Sequence, residues 1–200
     1  MTHRPALRAR SNRGAAYLVC FLALALLTTK AAAEDLPNIL WITTEDNAAH
    51  WLGCYGNADA RTPRIDALAA DGFLFVHAYS NAPVCAVARS TILNGAYAVT
   101  QGTQHMRSRY RVPNTYRPYV SYLRERGYYC TNRSKTDYNQ QGNDKQIWDE
   151  CSPRAHYKNR PKGAPFFAIF NITDSHESNL FPEKVAKNRQ RGFIPAETRL

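Results

Sequence analysis

The sequence predicts an α/β fold in which a mostly parallel central sheet is flanked by helices. Short apolar runs rich in β-branched and aromatic residues alternate along the chain with amphipathic stretches, as in proteins built on a parallel sheet. The first and last of these runs pass directly into polar clusters, and open α/β sheets carry their sites at the carboxyl ends of such strands. With 200 residues, the chain is long enough for one domain with a hydrophobic core.

The predicted strands are short apolar runs at residues 38–44, 73–80, 128–132 and 164–173. The first, NILWITT, has the composition of a buried parallel strand. It is followed by Glu45, Asp46 and Asn47, and the last strand is followed by DSHES. Polar side chains are therefore expected together at the carboxyl edge of the sheet.

The predicted helices lie at residues 62–72, 89–95 and 116–127, and the middle one amounts to a turn or two. The clearest has Thr62 as N-cap, Pro63 in its first turn and Gly72 at its end. The polar stretch 139–163 is predicted to be irregular. The final residues, RGFIPAETRL, provide no closing element, so we expect the chain to be incomplete at its C-terminus.

The formal net charge of +10 overstates how basic the folded part is. The first 33 residues contain five Lys or Arg and no acid, and the rest contains 21 basic and 16 acidic residues. A nucleic-acid-binding protein would show a clustered basic face with interleaved aromatic residues. The only dense basic run, RSRYR at 107–111, is short. We therefore expect no nucleic-acid partner, and an anionic small substrate fits the charge as well.

The N-terminus has the pattern of a secretory signal peptide over residues 1–33. A basic segment precedes the apolar run AAYLVCFLALALL, and Ala31-Ala32-Ala33 offers a cleavage site. The apolar run is short for a membrane span, so we expect no stable membrane anchor. The prediction is export to the periplasm or the extracellular space, with the mature chain starting at about Glu34.

Four cysteines remain after cleavage, and an oxidising compartment makes disulfides possible. Cys130 and Cys151 are the first pair to suspect, because they would close a short loop. No Cys-x-x-Cys pair occurs in the sequence, so a zinc ribbon is not expected.

Cys85 lies in an otherwise apolar segment, NAPVCAVARSTILNG, and its role is open. It could be a small core residue, a thiol nucleophile or the precursor of another group. The phosphate-binding loop of tyrosine phosphatases has five residues between its Cys and Arg, whereas three separate Cys85 from Arg89. A papain-like site would need a partner histidine, and nothing around Cys85 indicates one.

Four stretches together resemble the N-terminal half of type I sulfatases, members of the alkaline-phosphatase superfamily. They are EDNAAHWLGCYGN, TPRIDALAADGFLFVHAYSNAPVCAVARSTILNG, GYYCTNRSKTDYN and PFFAIFNITDSHES. The resemblance covers residues 38–200 and is most specific where Cys85, Arg89 and Gly95 follow the TP.IDALA..G..F..AY pattern. It identifies residues 34–200 as the N-terminal portion of a sulfatase catalytic domain.

The family resemblance implies a chemical role for Cys85. In sulfatases a separate maturation enzyme oxidises this cysteine to formylglycine, and the hydrate of formylglycine attacks the sulfur of a sulfate ester. One calcium ion holds the attacking oxygen and the sulfate oxygens. Glu45 and Asp46 match the family's acidic pair, so the implied metal ligands are Glu45, Asp46 and the modified Cys85.

The resemblance also implies roles for three further side chains. Arg89 would stabilise the hydrate and its anion from one helical turn away. Lys135 falls where the family has a sulfate-binding lysine. His176 falls where the family has a histidine that contacts the sulfate and helps to protonate the leaving oxygen.

Three departures from the family pattern bear on these roles. Val87 stands where the modification motif has Pro or Ala, and Asp137 stands where the family often has a histidine. The remaining metal ligands of the family would lie beyond Leu200. Because calcium needs about six to eight oxygen ligands, we expect the chain to be inactive alone.

The expected function is therefore sulfuric ester hydrolysis, with a sulfated carbohydrate as substrate. Two alternatives stay open. One is a phosphoester or phosphonate hydrolase of the same superfamily. The other is a non-catalytic secreted protein that binds anionic glycans through Arg89 and Lys135.

Overall fold

Four parallel strands form the central sheet of the computed structural model: Ile39–Thr44 (β1), Tyr129–Arg133 (β2), Glu150–Cys151 (β3) and Phe166–Ile172 (β4). Their order across the sheet is β1, β4, β2, β3. The structure describes residues 36–142 and 144–192, and the chain from Pro37 onward forms one compact unit. The predicted signal peptide and the predicted open end after residue 192 lie outside the described residues. The predicted α/β class with a parallel sheet is confirmed.

The described residues form five α-helices: Pro63–Asp71 (α1), Cys85–Asn94 (α2), Ala98–Gln101 (α3), Tyr119–Glu125 (α4) and Pro182–Gln190 (α5). Short 3-10 turns connect several of these elements. Of the helices, α4 packs against β2, and α2 contacts both α3 and α4. The helices predicted at 62–72 and 116–127 are thus confirmed, the second of them shorter than predicted.

The centre of the sheet is β4, because β1 pairs along one side of it and β2 along the other. Its residues Phe167, Ala168 and Ile169 are buried. The Phe167 ring contacts Trp41, Tyr119 and Trp148, with ring centroids 5.4–6.2 Å apart. These aromatic contacts join β1, α4 and the segment before β3 around one side chain, and burial of such a side chain stabilises the fold by about 1.5–3 kcal/mol.

The first helix begins where its sequence signals predict. Thr62 Oγ1 accepts a hydrogen bond from Gly53 N at 2.9 Å and donates one to Asp66 Oδ1 at 3.0 Å. The same Asp66 oxygen accepts from Cys54 N at 2.7 Å. Thr62 and Asp66 therefore fix the preceding turn to the start of α1.

The helix that carries Cys85 is longer than predicted. It starts at Cys85 itself and ends at Gly95, whose φ of 64° suits glycine and closes the last turn. Its buried polar face is hydrogen-bonded to the chain that follows, since Ser90 Oγ and Thr103 Oγ1 lie 2.9 Å apart. Asn94 Nδ2 donates to Gln101 Oε1 at 2.6 Å. These contacts hold α2 rigidly on the loop that contains α3.

The strand predicted at 73–80 is wrong. This segment has no strand partner among the described residues, and its large side chains are exposed, including Phe73 at 93% and Phe75 at 71%. Strand propensity describes how well side chains fit a pleated, half-buried surface, and the described sheet offers this segment no such surface.

The polar stretch after residue 139 is irregular, as predicted, with two short 3-10 turns and the two-residue β3. The suspected disulfide is not formed, and neither Cys130 nor Cys151 takes part in a disulfide bond. The reason lies in the register, because Cys151 pairs with Asn132 and not with Cys130. Among the described helices, none has the length and apolar character needed to cross a bilayer.

Candidate active site

The residues implied by the family resemblance converge at the carboxyl ends of β1, β2 and β4. The loop after β1 carries Glu45 and Asp46, the loop after β2 carries Lys135, and the loop after β4 carries His176. The first turn of α2 adds Cys85 to the same edge, beside Glu45 and Asp46 in one pocket. Parallel strands bring these loops together although they are distant in sequence.

Cys85 is the first residue of α2 and is half-buried. It lines a pocket of about 540 Å³ together with Glu45, Asp46 and Arg89. Its Sγ lies 3.9 Å from Oδ2 of Asp137, which is the nearest polar contact of the thiol that the structure records. The candidate nucleophile is thus accessible from a cavity large enough for a small ligand.

Arg89 lies one helical turn after Cys85 and is used to hold the loop after β2. Its Nε donates to Thr136 O at 2.8 Å, and its Nη2 donates to Lys135 O. Its Nη1 donates to Asn171 Oδ1 at 3.0 Å, and the guanidinium lies over the Tyr138 ring. These contacts make Arg89 a positioning residue for the loop that carries Lys135 and Asp137.

Lys135 and Glu45 form a buried ion pair at the centre of the site. Lys135 Nζ donates to Glu45 Oε2, and the side chains are only 15% and 5% exposed. Burial of a charge is costly without a partner, so each of these charges stabilises the other. An ammonium group has three donors, which leaves Lys135 able to contact an anion while it stays paired.

The loop after β4 is fastened to the loop after β1. Asp46 Oδ2 accepts from Glu177 N at 2.8 Å, and Ser175 Oγ donates to the backbone oxygen of Glu45. Asp46 itself has a φ of 47°, in the left-handed region that non-glycine residues seldom adopt. Such backbone conformations cluster at functional sites, where the surroundings impose them.

His176 lies between Ser175 and Glu177, the two residues of the loop after β4 that contact Glu45 and Asp46. Its Nδ1 accepts a hydrogen bond from Ser178 N at 3.2 Å, which caps a 3-10 turn. A neutral imidazole that accepts at Nδ1 carries its proton on Nε2. His176 can therefore act as a donor at Nε2, and its approach to a substrate stays a prediction.

The donors at this edge fit calcium in kind. Glu45 and Asp46 provide carboxylate oxygens, the hard ligands that calcium prefers. Their number is short of a full shell: the described residues bring no group of three or more His, Cys, Asp or Glu side chains together in a metal-holding arrangement. Glu45 and Asp46 could thus supply part of a calcium site, with further ligands needed.

Asn171, near the end of β4, connects several segments at this edge, a role that the sequence pattern did not predict. Its Oδ1 accepts from Thr43 Oγ1 and from Arg89, both at 3.0 Å. Its Nδ2 donates to Asn132 Oδ1 at 2.8 Å and to Arg133 O at 3.1 Å. Asn171 thus connects the ends of three strands to α2. The feature of the sequence that could have indicated this role is an amide side chain among the last residues of an otherwise apolar strand.

The Sulfatase family model matches residues 37–190 of this chain. The chain is 40% identical over 165 residues to the ulvan-active sulfatase of Formosa agariphila, which covers 76% of this chain and 27% of that protein. It is 39% identical over 87 residues to human arylsulfatase D, covering 42% of this chain and 15% of that protein. The chain thus spans about a quarter or less of the length of these two relatives.

Solved structures agree on the fold. The structure of a 2-O GAG sulfatase superposes with a TM-score of 0.61 at 20% identity, covering 76% of this chain and 37% of that one. A protein bound to its substrate D-glucosamine-2-N,6-O-disulfate superposes with a TM-score of 0.60 at 19% identity, covering 70% and 35%. With the family match over most of the described residues, the chain belongs to the sulfatase family.

Proposed function

We propose that the protein containing this chain hydrolyses sulfate esters of a carbohydrate, with a nucleophile made from Cys85. The observation that carries this proposal is the meeting of Cys85 with Glu45, Asp46 and Arg89 in one pocket at the carboxyl edge of the sheet. The family resemblance implies that catalysis takes place at this edge of the sheet. The proposal also rests on the family match over residues 37–190.

Two groups would have to be added to the chain for this chemistry. When present, formylglycine at position 85 would supply the nucleophilic oxygen, and calcium would supply positive charge for the sulfate oxygens. Glu45 and Asp46 are the residues that would hold the calcium ion. A formylglycine-generating maturation enzyme is therefore a required partner.

The remaining side chains would bind and protonate the substrate. Lys135 would contact the sulfate oxygens with the donors that its pairing with Glu45 leaves over. Arg89 would keep Lys135 in place through the backbone oxygen that it binds. His176 would give the Nε2 proton to the leaving oxygen, which lowers the cost of breaking the ester bond.

Two proteins similar to this chain support a sulfated carbohydrate as the substrate. One relative is an ulvan-active sulfatase, and one structural neighbour binds a disulfated glucosamine. A sulfated carbohydrate outside the cytoplasm fits the predicted signal peptide. We therefore include export to the periplasm or extracellular space in the proposal.

The decisive test is the chemical state of Cys85. The chain is to be co-expressed with a formylglycine-generating enzyme, and the peptide spanning residues 81–95 analysed by mass spectrometry and by hydrazide labelling. We expect an aldehyde at Cys85, with Cys85→Ala as the blank. The Val87→Ala variant restores the family pattern in the first helical turn and should be converted at least as fully. An unmodified thiol in both, beside a converted control sulfatase, would refute the proposal.

A non-catalytic anion-binding role is the second candidate. It is favoured by Val87 in the modification motif and by the Glu45–Lys135 pair, which neutralises one of the two expected calcium ligands.

We expect the chain alone to show no turnover, because its described residues supply too few metal ligands. A panel of sulfate, phosphate and phosphonate esters, tested on aldehyde-containing protein, separates the sulfatase from the other hydrolases of the superfamily.

A further inference from the structure

The basic run at 107–111 is attached to the loop that carries Asp137, although the proposed chemistry does not use the run. Asp137 contacts Cys85, and Asn139 follows two residues later, so their Cα atoms are at most about 7 Å apart. The Oδ1 of Asn139 accepts from Ser108 N at 2.8 Å. The run is therefore linked to Asp137, the recorded neighbour of the Cys85 thiol, by one hydrogen bond and two residues of chain.

The run is held firmly in this place. Asn139 is buried, and its Nδ2 donates to Thr103 O and to His105 O, both at 2.7 Å. Gln141 N donates to Tyr110 O at 3.0 Å. The Tyr110 ring packs on Gly102, where an added Cβ would lie only 2.9 Å from ring carbons. These attachments fix the backbone from which the arginine side chains project.

Among residues 36–142 and 144–192, the three arginines of the run have no electrostatic partner. Arg107, Arg109 and Arg111 are exposed, and within the described part of the chain their side chains form neither ion pairs nor hydrogen bonds. Arg107 also has a φ of 59°, in the left-handed region. Three like charges in five residues repel one another, so a bound polyanion would relieve an unfavourable interaction.

We propose that Arg107, Arg109 and Arg111 form a second anion-binding subsite, which holds a sulfate group on a neighbouring sugar unit of a sulfated polysaccharide. Guanidinium groups suit this ligand because their planar donors match the oxygens of tetrahedral anions. The subsite adds affinity for a polymer without contacting the ester at Cys85. It rests on the proposed function only for the substrate class.

The test compares two variants that lose the same charge. In the first, Arg107, Arg109 and Arg111 are replaced by alanine. In the matched control, Arg61, Arg64 and Arg154 are replaced by alanine; they are exposed and have no side-chain partner in the described part of the chain. Binding of fluorescein-labelled heparin to the 200-residue chain is measured by anisotropy over a range of salt concentrations. Circular dichroism checks that each variant is folded.

We expect the Arg107/Arg109/Arg111 variant to lose roughly tenfold in heparin affinity with a shallower salt dependence, because fewer counterions are released. The control variant should stay close to the parent chain. Equal losses in both variants, or no loss in the first, would overturn the subsite. Parent-chain affinity for single-stranded DNA at or above that for heparin would overturn the choice of ligand.

A second measurement separates this inference from the proposed function. Bound 4-nitrophenyl sulfate should protect Cys85 from iodoacetamide equally in the parent chain and in the Arg107/Arg109/Arg111 variant, because the small ester does not reach the subsite. Loss of that protection together with heparin binding would overturn the inference by assigning the arginines to the Cys85 pocket. Failure of Cys85 to become an aldehyde would count against the proposed function alone.

Discussion

Arg89 shows that a residue's role depends on where its donors are used. The family resemblance implies that Arg89, one turn after Cys85, stabilises the hydrate and its anion, and this role stays a prediction. In the structure the guanidinium binds Lys135 O, Thr136 O and Asn171 Oδ1. Through these contacts Arg89 also positions the loop that carries Lys135 and Asp137.

Replacement of Arg89 by lysine should destabilise the chain although the charge is kept. An ammonium cannot bond three acceptors in one plane as a guanidinium does, so the half-buried Thr136 O loses its donor and Lys135 O keeps only Asn132 Nδ2. We expect the free energy of unfolding to fall by about 2 kcal/mol. Urea titration measures this, with Arg64→Lys on the exposed face of α1 as control. Equal stability of the Arg89→Lys variant and the parent chain would show that the loop after β2 does not depend on the three hydrogen bonds of the guanidinium.

Asp137 places a carboxylate beside Cys85, where the family often has a histidine. A negative charge there repels a dianionic phosphate monoester more than a monoanionic sulfate ester. Asp137→Asn should therefore raise the affinity for 4-nitrophenyl phosphate relative to 4-nitrophenyl sulfate by roughly fivefold, the value for unit charges about 4 Å apart in water. Protection of Cys85 from alkylation reports both affinities, and Asp71→Asn, at the exposed end of α1, is the control. An unchanged ratio would exclude Asp137 from ligand discrimination.

At the scale of elements, the sequence predicted the three longer strands and the polar edge they share, because each strand begins with apolar or aromatic residues. The helix at α1 was equally predictable, since Thr62 and Pro63 act locally. The irregular structure of residues 73–80 was not predictable, because a strand needs a neighbouring strand and the sequence does not show whether one is present. Asn171 was missed for a similar reason: its four hydrogen bonds join segments that are far apart in the chain.

The buried Cys130 in β2 makes stability depend on alkaline pH. Burial, with a contribution from Asp149, raises the pKa of this thiol from the ordinary 9.0 to about 12. In the unfolded chain the thiol loses its proton near its ordinary pKa, whereas the folded chain keeps the proton until about 12. Above the ordinary value the unfolded state thus binds fewer protons, so the stability from Cys130 is lost as pH rises towards the folded value.

The Cys130→Ala variant isolates this effect. Between about pH 9 and about pH 11, the parent chain should lose roughly 1 kcal/mol of unfolding free energy per pH unit more than the variant. Burial is the main cause that raises the pKa values of Tyr119 and Tyr129, and the variant keeps that burial. Cys130 adds only a smaller repulsion at Tyr119, so the contribution of the two tyrosines largely cancels in the difference. Urea titrations along this pH series provide the measurement. Parallel pH profiles would mean that the folded thiol ionises as an exposed one does.

At the scale of the whole molecule, charge was predictable from sequence and surface was not. Composition predicted a mildly basic chain, and the structure attaches the cluster of Arg107, Arg109 and Arg111 to the loop that carries Asp137. The exposed apolar surface came from the structure alone. Leu40 and Ile42 of β1 are 52% and 57% exposed, and the segment from Phe73 to Val76 is exposed throughout. Several large apolar side chains exposed along one segment, as at Phe73 to Val76, promote association in water.

The 200-residue chain should therefore self-associate through the segment that was predicted as a strand. Replacing Phe73 and Phe75 by aspartate puts two charges into that surface, and both side chains are already exposed, so the fold loses little packing. Sedimentation velocity over a concentration series should show oligomers for the parent chain and a shift towards monomer for this variant. Asn114→Asp with Thr115→Asp adds the same charge in an exposed turn and should leave the oligomers intact. If the control dissociates as well, net charge and not the apolar segment governs association.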